Sequence, residues 1–184
     1  MKKVFIFLAE GFEETEAVAA MDIMLRGGLD VTSVSITGNL LVTGAHGITV
    51  KADALFEKAD ISSGDMLVLP GGMPGASNLN AHSGVKSALK QFAASGKKIA
   101  AICAAPLVLG GLDLLQGKRA TAYPGYESTL KGATCMNSPS VKDGNIITGR
   151  GPGFSFQFGL AIVEELQGKA KADEVAEGLL FTRH

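Results

Sequence analysis

The stretch at residues 97–111, "KKIAAICAAPLVLGG", decides the fold. Residues 99–102 form an apolar run of strand length. Pro106 opens a second apolar run, which ends on the pair Gly110-Gly111. Proline suits the first turn of a helix and a glycine pair stops one, so the segment predicts a strand, a bend, and a helix through about Gly110. A single thiol, Cys103, sits on the bend. The layout is that of a nucleophile elbow, with Ala101 and Ala105 in the places of its glycines. Such a corner is crowded, and Ala101, Ala104 and Ala105 are small enough for it. Two readings follow. Cys103 is a small core residue, or it is a nucleophile whose thiolate is favoured, and whose pKa is lowered, by the amides of the helix that follows.

The same alternation extends in both directions. Residues 4–8 are a short apolar run, read as a first strand. Residues 13–26 place Ala17, Ala20, Met21 and Met24 on one helical face and the i,i+4 pair Asp22 and Arg26 on the other, with Gly27-Gly28 as the stop. Residues 30–36 alternate as a strand, and 40–53 read as a hairpin turning near Gly44 to Gly47. Residues 65–72 run from a buried strand into a glycine turn, and 84–95 read as a helix. Residues 140–149 read as a hairpin turning at Asp143-Gly144. Phe154, Phe158, Ile162 and Leu166 recur on one long helix, and 173–181 form a final short one. Strands alternating with helices predict an α/β fold with a mostly parallel sheet and helices on both faces. Near-continuous apolar strands fit a sheet covered on both sides. Ligands of such folds bind at the carboxyl ends of strands. Three segments fall there: "AEGFEE" (9–14), "PGGMPG" (70–75) and "CAAP" (103–106).

A chain of 184 residues fits one domain, 1–184. Its net charge of −1 gives no basic footprint for nucleic acid. No stretch is long and apolar enough to span a membrane. The apolar run at 4–9 is shorter than the core of an export signal, so the expectation is a cytoplasmic protein with reduced thiols. Cys103 and Cys135 form no CxxC, and no metal framework is expected; a disulfide between them stays open. Cys135 has no elbow around it and reads as a small structural residue.

A thiol nucleophile needs a proton partner. His184 is terminal and expected to be mobile. His82 precedes an apparent N-cap, Ser83, and reads as solvated. His46 lies at a hairpin tip and reaches a pocket only if that hairpin folds over it. The acidic run Glu10, Glu13, Glu14, Glu16 is the alternative. Its plain role is to complement a helix dipole. Glu13 projects opposite the wet face marked by Asp22 and Arg26, while Glu16 sits at the boundary, and periodicity does not choose between them. A carboxyl group kept protonated by desolvation can hydrogen-bond a thiolate and carry protons. "PGGMPG" has the form of a backbone cradle for an anionic oxygen. It lacks the Lys-Ser/Thr end of a phosphate loop, so phosphoryl transfer is not expected. "GRGPGFSF" (149–156) is a tight loop before the long helix.

"LAEGFEETEAV" (8–18), "VLPGGMPGA" (68–76), "IAAICAAP" (99–106) and "TGRGPGFSFQFGLAIVEEL" (148–166) together resemble the ThiJ/PfpI superfamily, most nearly its DJ-one branch and the bacterial relatives of that branch. The resemblance implies a flavodoxin-like three-layer sandwich, a homodimer, and no metal or organic cofactor. It places Cys103 at the family's reactive, easily oxidised cysteine, and Glu16, rather than Glu13, at the acid that bonds the sulfur. Gly71, Gly72 and Ala104 match positions whose backbone N–H groups face the substrate oxygen or oxidised sulfur. Arg150 and Pro152 match a loop near the dimer contact. Two positions depart from the pattern: Tyr123-Pro124 stands where some members carry His-Pro, and His46 stands where several carry an arginine facing the pocket. The implied activity is cofactor-independent chemistry on α-oxoaldehydes such as methylglyoxal, or on their early glycated adducts. The alternative is a redox-responsive stress protein or chaperone that senses oxidation at Cys103.

Overall fold

The computed structural model describes residues 1–183; His184 lies outside the described residues. Along the chain the strands and helices are β1 (Lys3–Leu8), α1 (Glu14–Arg26), β2 (Asp30–Ser35), β3 (Leu41–Thr43), β4 (Thr49–Lys51), β5 (Ala54–Leu55), β6 (Met66–Leu69), α2 (Gly75–Ala81), α3 (Ser83–Ala94), β7 (Lys98–Ile102), α4 (Pro106–Gly111), β8 (Arg119–Ala120), β9 (Thr134–Cys135), β10 (Ser140–Asp143), β11 (Ile146–Gly149), α5 (Ser155–Gln167) and α6 (Lys169–Gly178). Seven strands form the central sheet in the order β10-β11-β7-β6-β1-β2-β5. Every pairing in it is parallel except β10 with β11.

The apolar runs of the strands are explained by burial on both faces. Val4, Ile6 and Leu8 of β1, with Met66 and Val68 of β6, pack against Ala17, Ala20, Ile23 and Met24 of α1 and Phe158 and Ile162 of α5. Their sequence neighbours Phe5, Phe7, Leu67 and Leu69 point the other way, onto Leu79 of α2, Val85, Leu89 and Phe92 of α3 and Val108 of α4. The result is the mostly parallel, helix-covered α/β sheet that the alternation predicts, in the three-layer, flavodoxin-like form that the resemblance implies.

Helix α1 ends where Gly27 caps it, and Asp22 and Arg26 pair at 2.7 Å on its outer face. The hairpin β3–β4 forms in the expected place, with Leu41 opposite Lys51 and Thr43 opposite Thr49. It stands off the central sheet. The β10–β11 hairpin turns one residue later than expected, on Gly144 and Asn145, because Gly144 takes the left-handed conformation (φ +61°) and Asp143 still pairs with Ile146. The last helix begins earlier than expected, at Lys169: Gly168 (φ +91°) breaks the helical run after Gln167, and α6 buries Ala172, Val175 and Ala176. Helix α2 is not legible, since "GASNLNA" interrupts its Ala and Leu with the weak helix formers Gly, Ser and Asn. No helix among the described residues is long and apolar enough to cross a membrane.

Candidate active site

The carboxyl ends of β1, β6 and β7 meet at one corner. Cys103 follows β7 immediately and takes φ +65°. This left-handed conformation costs a non-glycine residue about 1–2 kcal/mol. The surrounding backbone holds it: Cys103 N–H donates to Gly149 O, and Cys103 O accepts from Tyr123 N–H, both at 2.9 Å. The residue is 8% exposed, which places it at the floor of the surface. Two backbone N–H groups, those of Gly72 and Ala104, point at Sγ.

Glu16 lies in the first turn of α1 and is fully buried, deeper than the helical boundary expected for it. Its Oε2 accepts the N–H of Gly71 at 2.7 Å. Its Oε1 is buried and meets no partner with hydrogen-bond geometry, although the carboxyl group contacts Cys103 Sγ. A proton on Glu16 shared with a thiolate would satisfy that oxygen. Glu13 takes a different place, as the N-cap of α1, where its Oε2 accepts Glu16 N–H at 2.6 Å. Of the glycines, Gly72 faces the sulfur as expected, whereas the amide of Gly71 is occupied by Glu16.

The electrostatics correct a simple helix-field argument. Burial, then the charge of Glu16 and the bond to it, push the Cys103 thiol up to about 12; the Gly72 and Ala104 amides pull in the opposite direction. Helix α4 has only six residues, so its dipole contributes little against burial. Burial likewise pushes Glu16 up to about 7, with the neighbouring Glu13 charge adding to it and the Cys103 and Gly71 bonds opposing it. Both acids therefore resist ionising together, and the pair retains a proton around neutrality.

The β3–β4 hairpin does fold over the start of α1. Ala45 N–H donates to Phe12 O, and Gly11 N–H to Thr43 O, each at 2.8 Å. His46 nevertheless turns outward, 70% exposed, with Nδ1 at 2.8 Å from Glu14 Oε2. The Glu14 bond is the main cause that raises the His46 pKa. Ligating atoms of Glu13, Glu14 and His46 lie within 4.8 Å of one another. Their carboxylates are already committed: Glu13 to the Glu16 amide, Glu14 to the amides of His46 and Ile48. His82 is not the solvated residue expected. It is itself the N-cap of α3, where Nδ1 accepts Val85 N–H, and its ring lies edge-on to Phe56. Tyr123 packs its ring over Gly151 beside the Cys103 backbone, and Pro124 is exposed. Arg150 and Pro152 are half-buried, Arg150 N–H donating to Pro139 O. Cys135 contradicts its expected structural burial: it is exposed on β9, and both cysteines are free. Sequence reasoning named Glu14 only as part of the acidic run and missed that it anchors the hairpin, and it passed over Thr148, whose hydroxyl accepts Thr121 N–H beneath the corner at 2.9 Å. A short polar side chain in an apolar strand was the only signal for the second.

A strained cysteine at a strand end, with a buried acid and converging amides, defines a class of flavodoxin-like cysteine proteins. Residues 2–165 match the DJ-1/PfpI family, and the chain belongs to it. It is 42% identical over 183 residues to Protein DJ-1 homolog A of Arabidopsis thaliana, covering 98% of this chain and 47% of that one. The chain thus spans about half the length of this relative. It is 38% identical to Protein dj-1beta of Drosophila melanogaster, with 97% of each chain covered. It is 35% identical to a Pyrococcus abyssi protein named a deglycase, over 82% of this chain and 91% of the relative. Among solved structures, that described as oxidized Toxoplasma gondii DJ-1 superposes with a TM-score of 0.96 at 34% identity, covering all of both chains.

Proposed function

We propose that this protein is a cofactor-independent enzyme that uses Cys103 on reactive α-oxoaldehydes or on their early adducts with amines and thiols. The observation that carries this reading is the meeting of Cys103 Sγ, the fully buried Glu16 carboxyl and the Gly72 and Ala104 N–H groups at one corner. The deglycase name of the Pyrococcus abyssi relative supports the substrate class.

Glu16, as carboxylate, takes the thiol proton as Cys103 Sγ adds to the aldehyde carbon and forms a C–S bond. The aldehyde oxygen becomes an oxyanion, held by the Gly72 and Ala104 N–H groups, and then takes up that proton from Glu16. Glu16, again a carboxylate, removes the proton from that carbon and delivers it to the neighbouring carbonyl carbon, while the hydroxyl proton moves from the first oxygen to the second through an enediol. The hemithioacetal thereby isomerises to a hydroxy thioester with no net change of oxidation state. Water then cleaves the C–S bond, releases the hydroxy acid and restores the thiol. Tyr123 and Glu13 are pocket residues in this reading, and His46 takes no part as base. The test is lactate release from methylglyoxal without glutathione by wild type, Cys103→Ser and Glu16→Ala. Loss in both variants is expected; equal rates in all three reject the proposal.

A second reading is a redox-responsive stress protein. The same amides would hold the oxygens of a Cys103 sulfinate, and the neighbouring solved structure is described as oxidized. Under mild peroxide it expects a two-oxygen mass gain on Cys103 and none on the exposed Cys135. For either reading we propose a homodimer through α1 and the hairpin, where Val18, Leu25, Leu41 and Ile48 remain exposed, with Arg150 and Pro152 near the contact. Sedimentation at a monomer mass would reject that assembly.

A further inference from the structure

Three hydrogen bonds close a ring at the start of α1. Glu13 N–H donates to Gly71 O at 2.9 Å. Gly71 N–H donates to Glu16 Oε2 at 2.7 Å. Glu16 N–H donates to Glu13 Oε2 at 2.6 Å. The next residue, Gly72, points its amide at Cys103 Sγ. A Cβ on Gly72 would lie 2.4 Å from Glu13 N, so the Gly71-Gly72 turn seats directly on Glu13. Glu13 is buried, yet it is not among the groups that bear on the sulfur, which are Glu16, Gly72 and Ala104.

We infer that Glu13 is a positioning residue: through this ring it orients the Glu16 carboxyl and the Gly71-Gly72 amides, and its own charge strengthens the hold of Glu16 on a proton. The inference rests on the reading that Cys103 works as a nucleophile whose proton passes to Glu16. Its physical basis is a division of labour between two carboxyl groups. Glu13 occupies the N-cap of α1, where its carboxyl accepts the Glu16 amide. Glu16 is dry, and ionising it would set a second negative charge beside the first. The groups that bear on Glu16 are Glu13 at the start of α1, Cys103 at the end of β7 and the Gly71 amide after β6. None of these is a cation, so nothing among them offsets the repulsion.

The experiment is a pH titration of the side-chain carboxyl carbons by NMR on the full chain, in wild type, Glu13→Gln and Glu13→Ser. Both substitutions keep an oxygen able to accept Glu16 N–H and remove the charge, so either serves if the other fails to fold. In wild type the Glu16 midpoint is expected at about 7. In the variants it should fall by about one pH unit, a tenfold change in proton affinity. Alkylation of Cys103 near neutrality should slow by a similar factor while Cys135 is unaffected. A purely structural cap would leave the midpoint in place. An unmoved midpoint in the folded variants overturns the inference and spares the reading of the pair. A wild-type midpoint in the ordinary carboxylate range overturns that reading and the inference with it.

Discussion

Gly71 is the contact point between the two acids of the site: its N–H donates to Glu16 Oε2 at 2.7 Å, and a Cβ on it would lie 2.6 Å from Cys103 Cβ. Ile102 O would stand 2.9 Å from the same added atom. Gly71→Ala must therefore push Cys103 and Glu16 apart. We expect a loss of about 1–3 kcal/mol in stability, as for overpacking elsewhere, and at least a tenfold drop in Cys103 alkylation rate. Urea unfolding and timed alkylation check both.

The left-handed backbone of Cys103 sets a second expectation. Both Cys103→Ala and Cys103→Gly should abolish activity, but glycine accepts φ +65° without strain. The strain relieved is about 1–2 kcal/mol. The extra freedom of glycine in the unfolded chain returns about 0.4–1 kcal/mol of that. Cys103→Gly should therefore be the more stable by roughly 0.5–1 kcal/mol in urea melts. A less stable glycine variant would argue against strain at this corner.

Stability should fall as pH rises, through Glu16. Burial raises its folded pKa from an ordinary 4.5 to about 7, so the folded state binds the proton more tightly than the unfolded state. The stabilisation is complete below about 4.5 and is lost as pH passes through about 7. Each pKa unit is about 1.4 kcal/mol, so the effect amounts to roughly 3 kcal/mol. Glu16→Gln should flatten this part of the profile of unfolding free energy against pH. A wild-type slope that survives the substitution would place the titration elsewhere.

Glu14 clasps the hairpin. Its carboxylate accepts from His46 N–H at 2.7 Å and Ile48 N–H at 3.3 Å, and meets His46 Nδ1 at 2.8 Å. Burial pushes Glu14 up, but the His46 ring and these amides outweigh it and hold the carboxyl below its ordinary range. The clasp is thus present above the ordinary carboxylate pKa and weakens as pH falls through the lowered value. Glu14→Ala leaves the donors unmade, at about 1–3 kcal/mol, or roughly five- to 150-fold faster exchange. Hydrogen exchange at His46 and Ile48 should accelerate by that factor, with core strands unchanged.

Cys103 on its bend, the small residues around it and the alternation of apolar runs were legible because they are local: burial on both faces writes itself into each strand, and a tight corner admits only small neighbours. The glycine turn beside the site was legible for the same reason. Helical periodicity could not separate Glu13 from Glu16, because a first-turn residue can either cap its own helix or reach into the sheet, and the helical wheel carries no record of what stands opposite. Cys135 shows the converse limit. Its type suggests burial, but a two-residue strand at the margin leaves it exposed.

From the order of its residues alone, this chain determined a parallel sheet sheathed by helices, with a thiol at a strand end. The tertiary structure decided which carboxyl meets that thiol, which amides face it, and that the thiol is pushed up rather than down. The reason is that desolvation and charge repulsion act through space, between segments some ninety residues apart, whereas propensity and periodicity act only along the chain.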